Sequence, residues 1–476
     1  MNKIQKITLA VVCIATAMLM LDIAVVNTAI PSIAKDLHAD LGGVQWVVDA
    51  YTLALASVVL TAGSLADRLG RRRLFAVGLA IFTVASLACA LADSIAVLNT
   101  ARAVQGIGGA IMFAVSLALL AHAFPSPRGR AGALAAYGAT IGASFAVGPL
   151  VGGALTTGLD WRWIFLVNIP IALLCLVGTV RGVEESRDPN ARSIDWLGQT
   201  VLGGGLFLLV LGLLRGNEDG WTSTPIVAEL SGAVLLLAAF VLVERKVREP
   251  MLPLGHFRIR AFTGAQVAAF SISASFFAVY LYATLYLQNV LGMSAIDSGL
   301  AYLPSTVVMF LVSGATAQML ERVRPAVLIG GGLALVSAGM LLMSAMVGTD
   351  SSWTATLPGM MLASIGTGLF NPAVSGVALN SLPDEQSGLA AGANDTFRQA
   401  GIAVGIAGLG ALIPAQAALG HDSGAYVSGL QDALTVGAAL AAVGALVATK
   451  LLRRVRVPGP ATATAVPCPE PAVAAA

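Results

Sequence analysis

Fourteen runs of about 20 mainly apolar residues follow one another along this chain, and a helix needs about that length to cross the hydrocarbon core of a bilayer. They cover 7–30, 43–66, 73–93, 96–123, 130–157, 162–181, 195–215, 225–244, 261–289, 297–319, 324–347, 354–381, 387–416 and 429–451. Within lipid every backbone donor and acceptor needs an internal partner, and runs of this length meet that need as helices. The predicted fold class is therefore an all-α integral membrane protein. Composition agrees: 57% of residues are hydrophobic and 11% charged, against about 25% charged in soluble domains. The 52 glycines suit helices that pack closely where lipid supplies no hydrophobic drive. The first run follows Lys3 and Lys6 as a secretion signal would, but it continues to Ile30 and contains Asp22. It reads as the first membrane helix.

The placement of charge orients these helices. With both termini on one side, 22 of the 27 Lys and Arg residues fall on that side, three (Lys35, Arg162, Arg215) on the other and two (Arg102, Arg398) inside spans. Cytoplasmic loops carry the excess of Lys and Arg, so both termini are expected in the cytoplasm, and an odd number of spans would mix the two sets. The links are too short to hold a soluble catalytic domain. The Pro/Ala-rich residues 457–476 are expected to be disordered. The four cysteines and four histidines show no metal-ligand or disulfide spacing, and no phosphate loop or Ser/His/Asp order is present. No enzyme activity, metal or cofactor is expected, and an ion gradient is the expected energy source.

A weak internal repeat divides the chain. Gly63, Asp67, Arg71 and Arg73 close the second run, and Gly314, Gln318, Arg322 and Arg324 close the tenth with the same spacing, 251 residues later. Gly132 and Thr140 in the fifth run recur as Gly388 and Thr396 in the thirteenth, 256 residues later. Two parallel six-helix halves separated by a two-helix insert produce this offset, and such halves form a site between them in transporters. The expected units are residues 1–185, an insert at 186–250, a second bundle at 251–456, and the tail.

Charges at membrane depth cost about 2.5–3.5 kcal/mol each on insertion scales, so they point to function. Asp22, Asp49, Arg102, Asp395 and Arg398 all sit well inside the runs. The plain alternative for each is an ion pair that only fixes packing. Asp22 can take and release a proton, with Asn27 and Pro31 after it on the same helix. Arg102 has Gln105 and Gly106 one turn on, on a shared face, and a fixed guanidinium facing a carboxylate would modulate its hold on a proton. Asn394, Asp395 and Arg398 make a polar stretch that can bind a proton or a substrate, or pair internally. Asp49 is a further carboxylate nearer the side away from the termini. In the ninth run, Phe277 and Tyr280 are candidates for an aromatic pocket, whereas Tyr282 and Tyr286 read more readily as an interfacial belt. At the end of the second run, Asp67 can cap a neighbouring helix through its dipole.

These motifs resemble the major facilitator superfamily, specifically its fourteen-helix drug:proton antiporters of the EmrB/QacA type, over about residues 7–455. Gly63, Asp67, Arg68, Gly70, Arg71 and Arg72 match the loop signature of the superfamily. Arg102, Gln105, Gly106 and Gly109 match its helix-4 signature. Gly148, Pro149, Gly152 and Gly153 match the helix-5 antiporter signature, and Asp22, Asn27 and Pro31 match the helix-1 motif of the group, as does WRWIFLVNIP at 161–170. Ser144 and Ala135 stand where the helix-5 pattern prefers glycine. Asp395 stands where many relatives are neutral, and Gln318 replaces an acid in the second-half loop. The resemblance implies a bundle of two six-helix halves plus two central helices. It also implies a bacterial cytoplasmic-membrane antiporter that exports lipophilic or cationic small molecules against protons. Asp22, Arg102 and Asp395 would serve proton coupling. Asn27, Asp49, Gln105, Phe277, Tyr280, Asn394 and Arg398 would form the substrate cavity. The expected partners are a small-molecule substrate, protons and the lipid bilayer, with no nucleic acid. A proton symporter, or an exporter dedicated to one endogenous metabolite, is the alternative.

Overall fold

The computed structural model describes residues 1–187, 193–320, 322–383, 386–414, 417 and 422–455. The predicted disordered tail, together with Arg192, His421 and Arg456, lies outside the described residues. No strand occurs among the described residues, and fourteen helices are long enough to cross a bilayer at 1.5 Å per residue. They are α1 (Lys3–Asp36), α2 (Leu41–Leu69), α3 (Arg71–Ala90), α4 (Ile95–Ala123), α5 (Pro127–Gly158), α6 (Trp163–Gly182) and α7 (Trp196–Asp219). The remainder are α8 (Thr224–Lys246), α9 (Arg260–Val290), α10 (Ala295–Met319), α11 (Pro325–Met346), α12 (Leu357–Leu379), α13 (Ser387–Gly410) and α14 (Ser423–Leu452). Thirteen are apolar enough to be membrane spans by composition alone; α13 is not, because Asn394, Asp395, Arg398 and Gln399 interrupt it.

Local chemistry starts and stops these helices. Asn2 and Gln5 form a reciprocal capping box at α1. Asp40, Asp195 and Asp422 accept from backbone amides in the first turns of α2, α7 and α14. Gly70 separates α2 from α3 at φ 110°, a conformation that favours glycine. A β-carbon there would also come within 2.8 Å of the Glu185 carboxyl carbon. The cap expected of Asp67 is not formed: Asp67 accepts from Arg71 of its own loop at 2.8 Å. Glu185 caps instead, accepting from the Arg72 amide at 3.0 Å and the Arg73 amide at 3.3 Å, at the positive end of α3. Arg68 is exposed.

Helices α1–α6 pack among themselves, as do α9–α14. The two bundles meet along two seams, α5 on α10 and α2 on α13. The repeat read from sequence pairs α2 with α10 and α5 with α13, so each seam joins the second helix of one half to the fifth of the other. Helix α7 pairs with α8 and lies on both α2 and α13. Thr61 meets Gln199 there at 2.5 Å, and Trp46 meets Phe207 at 5.6 Å between ring centroids.

The seams are closed at one end. At the face away from the termini, a β-carbon on Gly153 would lie 2.8 Å from the Ile296 α-carbon, and one on Gly299 would lie 3.0 Å from the Pro149 carbonyl carbon. One buried apolar cluster there joins Val25, Ile30 and Val44 of the first bundle to Phe276, Leu285 and Ile406 of the second. At the face bearing the termini, Gly132 and Gly138 of α5 and Gly314 of α10 have no neighbouring atom within 4 Å of such a carbon. A cleft lined by Leu311, Gly314, Gln318 and Arg322 opens there.

Candidate functional site

Asp22, midway along α1, is 1% exposed, and its carboxylate is fully engaged. Arg102 Nη1 donates to Asp22 Oδ2 at 2.6 Å and to Gln105 Oε1 at 2.6 Å. Gln105 Nε2 donates to Asp22 Oδ1 at 2.9 Å and to Ser86 Oγ at 2.9 Å. Asn168 Nδ2 donates to the same Asp22 Oδ1 at 2.8 Å. The guanidinium also donates from Nε to the Val47 carbonyl at 2.9 Å and lies 4.3 Å from the centroid of the Tyr51 ring. The network draws on α1, α2, α3, α4 and α6. It is the partnered arrangement a buried ion pair requires, since neither charge has water to fall back on.

The α-helical period explains how Arg102 and Gln105 reach one carboxylate: three residues apart, they lie on one face of α4. The close approach comes from Gly106, where a β-carbon would lie 3.0 Å from the Tyr51 α-carbon of α2. Ser86, Asn168 and Tyr51 were not singled out in sequence. Gln105 was marked by its spacing from Arg102, whereas Asn168 was quoted only as part of WRWIFLVNIP at 161–170, with no role. Ser86 is too ordinary a residue for a helix to carry a signal.

A second feature lies between the bundles. A cavity of about 740 Å³, including its open mouth, is bounded by α1, α2 and α5 on one side and α9, α10, α12 and α13 on the other. Asn27, Phe277 and Tyr280 line it, and so does Pro149 of the helix-5 signature. Phe145, Thr52, Ser305, Thr306 and Ser364 also line it and went unmarked in sequence. Helix α9 brings its aromatic rings there by a π-turn at Ser273–Phe277, a local widening of the helix often found at functional sites.

Other expected cavity residues sit elsewhere. Gln105 belongs to the Asp22 network. Asn394 is buried against α9, donating to Gln266 Oε1 at 3.1 Å and the Ala265 carbonyl at 3.3 Å. Asp49 is buried in α2 with no hydrogen-bond partner at either carboxylate oxygen, one residue from the cavity wall at Val48. Arg398 is half-buried and outside the lining, its guanidinium 5.8 Å from the centroid of the Phe277 ring. Asp395 is buried nearby with Oδ2 unpartnered. Gly148 and Gly152 press α5 onto α1, where a β-carbon on Gly152 would lie 2.8 Å from the Val25 α-carbon. Gly63 has open space around it.

Tyr282 and Tyr286 correct the belt reading. Both are fully buried, because their hydroxyls satisfy polar groups inside the protein. Tyr286 Oη donates to the Gly348 carbonyl at 2.7 Å. Tyr282 Oη accepts from Gln45 Nε2 of α2 at 2.7 Å and donates to the Ile406 carbonyl of α13, closing the far end of the cavity between bundles. Tyr282→Phe is expected to leave the amide and carbonyl unpaired at a cost of about 1–3 kcal/mol. A lower unfolding midpoint in detergent is the result that checks this.

The Major Facilitator Superfamily model matches residues 12–406. The chain is 36% identical over 418 residues to the multidrug resistance protein Stp of Mycobacterium tuberculosis, covering 87% of this chain and 77% of that one. It is 37% identical over 453 residues to the puromycin resistance protein pur8 of Streptomyces alboniger, covering 93% and 90%. The crystal structure of the human organic anion transporter MFSD10 (TETRAN) superposes with a TM-score of 0.63 at 16% identity, covering 93% of this chain and 99% of that one, a likeness of fold. Two six-helix bundles meeting along paired seams, a family model spanning most of the chain, and relatives matched over 77% and 90% of their length agree: this chain belongs to the Major Facilitator Superfamily.

Proposed function

We propose that the protein is a proton-coupled antiporter that exports small lipophilic compounds across the cytoplasmic membrane, with both termini in the cytoplasm. The resistance functions in the names of its relatives support export of toxic compounds. The charge asymmetry supports the orientation, and two of the three cations on the far face are already neutralised: Arg162 by Asp36 at 2.8 Å and Arg215 by Asp219 and Glu229 at 2.6 Å each. On this orientation the structure is closed toward the outside and open toward the cytoplasm between α5 and α10.

The observation that carries the reading is the position of Asp22. It belongs to the same helix as Ile23, Ala24 and Asn27, which line the cavity, yet its carboxylate turns into the first bundle toward Arg102. Proton and substrate therefore occupy opposite faces of α1. A proton arriving on Asp22 cancels its charge, weakens its hold on Arg102 and Asn168, and frees α1 to shift against α4 and α6. Release of the proton restores the pair. Each charge carried across 100 mV supplies about 2.3 kcal/mol. Asp395, with one oxygen unpartnered at the α13 seam, is the second candidate carrier. Residues 1–185 and 251–456 would rock as two bodies, with 186–250 lying along the α2/α13 seam.

Inverted membrane vesicles energised to acid inside test this. Adding a transported compound is expected to release internal protons, and the release is expected to vanish in Asp22→Asn vesicles. Transport that persists without a proton gradient would remove the antiport reading.

A further inference from the structure

We infer that the central cavity takes an uncharged aromatic molecule bearing hydroxyl and carbonyl oxygens, and that it disfavours a permanent cation. The inference rests on the export reading above and narrows its substrate class.

None of the residues lining the cavity is Asp, Glu, Lys, Arg or His. Membrane proteins hold organic cations with a carboxylate or with an aromatic face; no carboxylate lines this cavity, and the face of Phe277 is already engaged. The acid on α1, Asp22, is bound by Arg102 at 2.6 Å and turned away from the cavity. Asp49 of α2 is outside the lining. The aromatic face of Phe277 already has a cation over it, the Arg398 guanidinium at 5.8 Å. A quadrupole engaged by one cation has less to offer a second. Arg398 closes no salt bridge among the described residues. Asp395, one turn earlier on α13 and outside the lining, leaves that guanidinium facing the ring. A cation placed against Phe277 would share that ring with the Arg398 guanidinium, whose charge Asp395 offsets only in part.

The polar groups of the cavity match a different ligand. Thr52 donates to the carbonyls of Val48 and Asp49, Ser305 to that of Tyr302, and Thr306 to that of Leu303. Their protons are used within their own helices, so toward the cavity these oxygens can only accept. Tyr280 is the converse: its hydroxyl is buried without a partner, while its ring stacks on Tyr302 at 4.3 Å. A buried hydroxyl left unpaired is costly, and a ligand carbonyl would relieve that cost. Phenolic hydroxyls donating to Thr52, Ser305 and Thr306, and a carbonyl accepting from Tyr280, complete the polar complement. Phe145, edge-on to Phe277 at 5.8 Å, and Phe276 supply walls for flat rings.

The test is competition between a neutral and a cationic aromatic probe on the purified full-length protein in detergent. One is 2,6-dihydroxyanthraquinone at pH 6, whose hydroxyls lie too far from its carbonyls to bond internally, and the other is tetraphenylphosphonium. The quinone is expected to bind, with tetraphenylphosphonium displacing it only at tenfold or higher concentration. Arg398→Gln is expected to shift the cation-to-quinone affinity ratio at least fivefold toward the cation, and Tyr280→Phe to weaken the quinone about fivefold. Equal or tighter binding of tetraphenylphosphonium to the wild type, or no binding of the quinone, would overturn the inference without recourse to any variant. The two readings fail separately. Proton-driven export of tetraphenylphosphonium in vesicles would keep the antiporter and discard the neutral substrate. Tight quinone binding with no proton release would do the reverse.

Discussion

Asp22→Asn abolishes proton-linked export and also destabilises the folded protein: that double effect is the largest expected from any single substitution here. Asparagine keeps the size of the side chain but takes up no proton, so coupling is lost at the carrier. It also removes the only carboxylate within salt-bridge distance of the Arg102 guanidinium among the described residues. Breaking a buried pair by removing one partner costs about 3–5 kcal/mol, most of it from the charge left behind. The amides of Gln105 and Asn168 lose a charged acceptor at the same time. The measurements are proton release in inverted vesicles and an unfolding midpoint in detergent. Adding Arg102→Gln to Asp22→Asn is expected to recover part of the midpoint and none of the transport. Recovery of transport by the pair would show that the ion pair serves packing alone.

Gly299→Leu, or Gly153→Leu across the seam, is expected to lower transport at least tenfold while leaving each bundle folded. A β-carbon at Gly299 already meets the Pro149 carbonyl carbon at 3.0 Å, and one at Gly153 meets the Ile296 α-carbon at 2.8 Å. The larger side chain cannot fit while α5 and α10 are together at the far face. In the proposed transport cycle the seam is closed there only while the protein is open to the opposite side, so the substitution is expected to bias it toward the far-open conformation. Reaction of a cysteine at Asn27 with a membrane-impermeant thiol reagent from the far side is the direct readout. Faster labelling in Gly299→Leu than in wild type is the expected result, and unchanged labelling with full transport would remove these glycines from the closure.

The contrast between these two sites shows what could be read beforehand. Asp22 and Arg102 were legible because a charge inside an apolar run is costly wherever it lies, so its presence marks a role before any partner is known. The glycines of α5 were legible as a cluster. Their individual contacts were not: Gly152 presses on α1 and Gly153 on α10, and the difference is one residue of helical rotation. Tyr282 misled for a related reason. An aromatic hydroxyl near a helix end suits the lipid interface and a buried polar latch equally well, and only the arrival of Gln45 and the Ile406 carbonyl decides between them. Asp49, Gln105, Asn394 and Arg398 were polar groups at membrane depth, but depth alone does not say which face of a helix meets the cavity.

By itself the sequence determined the all-helical class, the run of apolar helices, the side that bears the positive charge and the carboxylate–arginine candidates. Each follows from run length, local charge and spacing along one helix, quantities that need no tertiary contact. The tertiary structure alone decided which groups hold Asp22, that Glu185 rather than Asp67 caps α3, which residues line the cavity and which end of it is closed. Those outcomes depend on contacts between residues as far apart as 80 positions for Asp22 and Arg102 and 260 for Thr28 and Gln288. They also depend on the rotation of each helix about its axis, which is settled when all its neighbours pack at once.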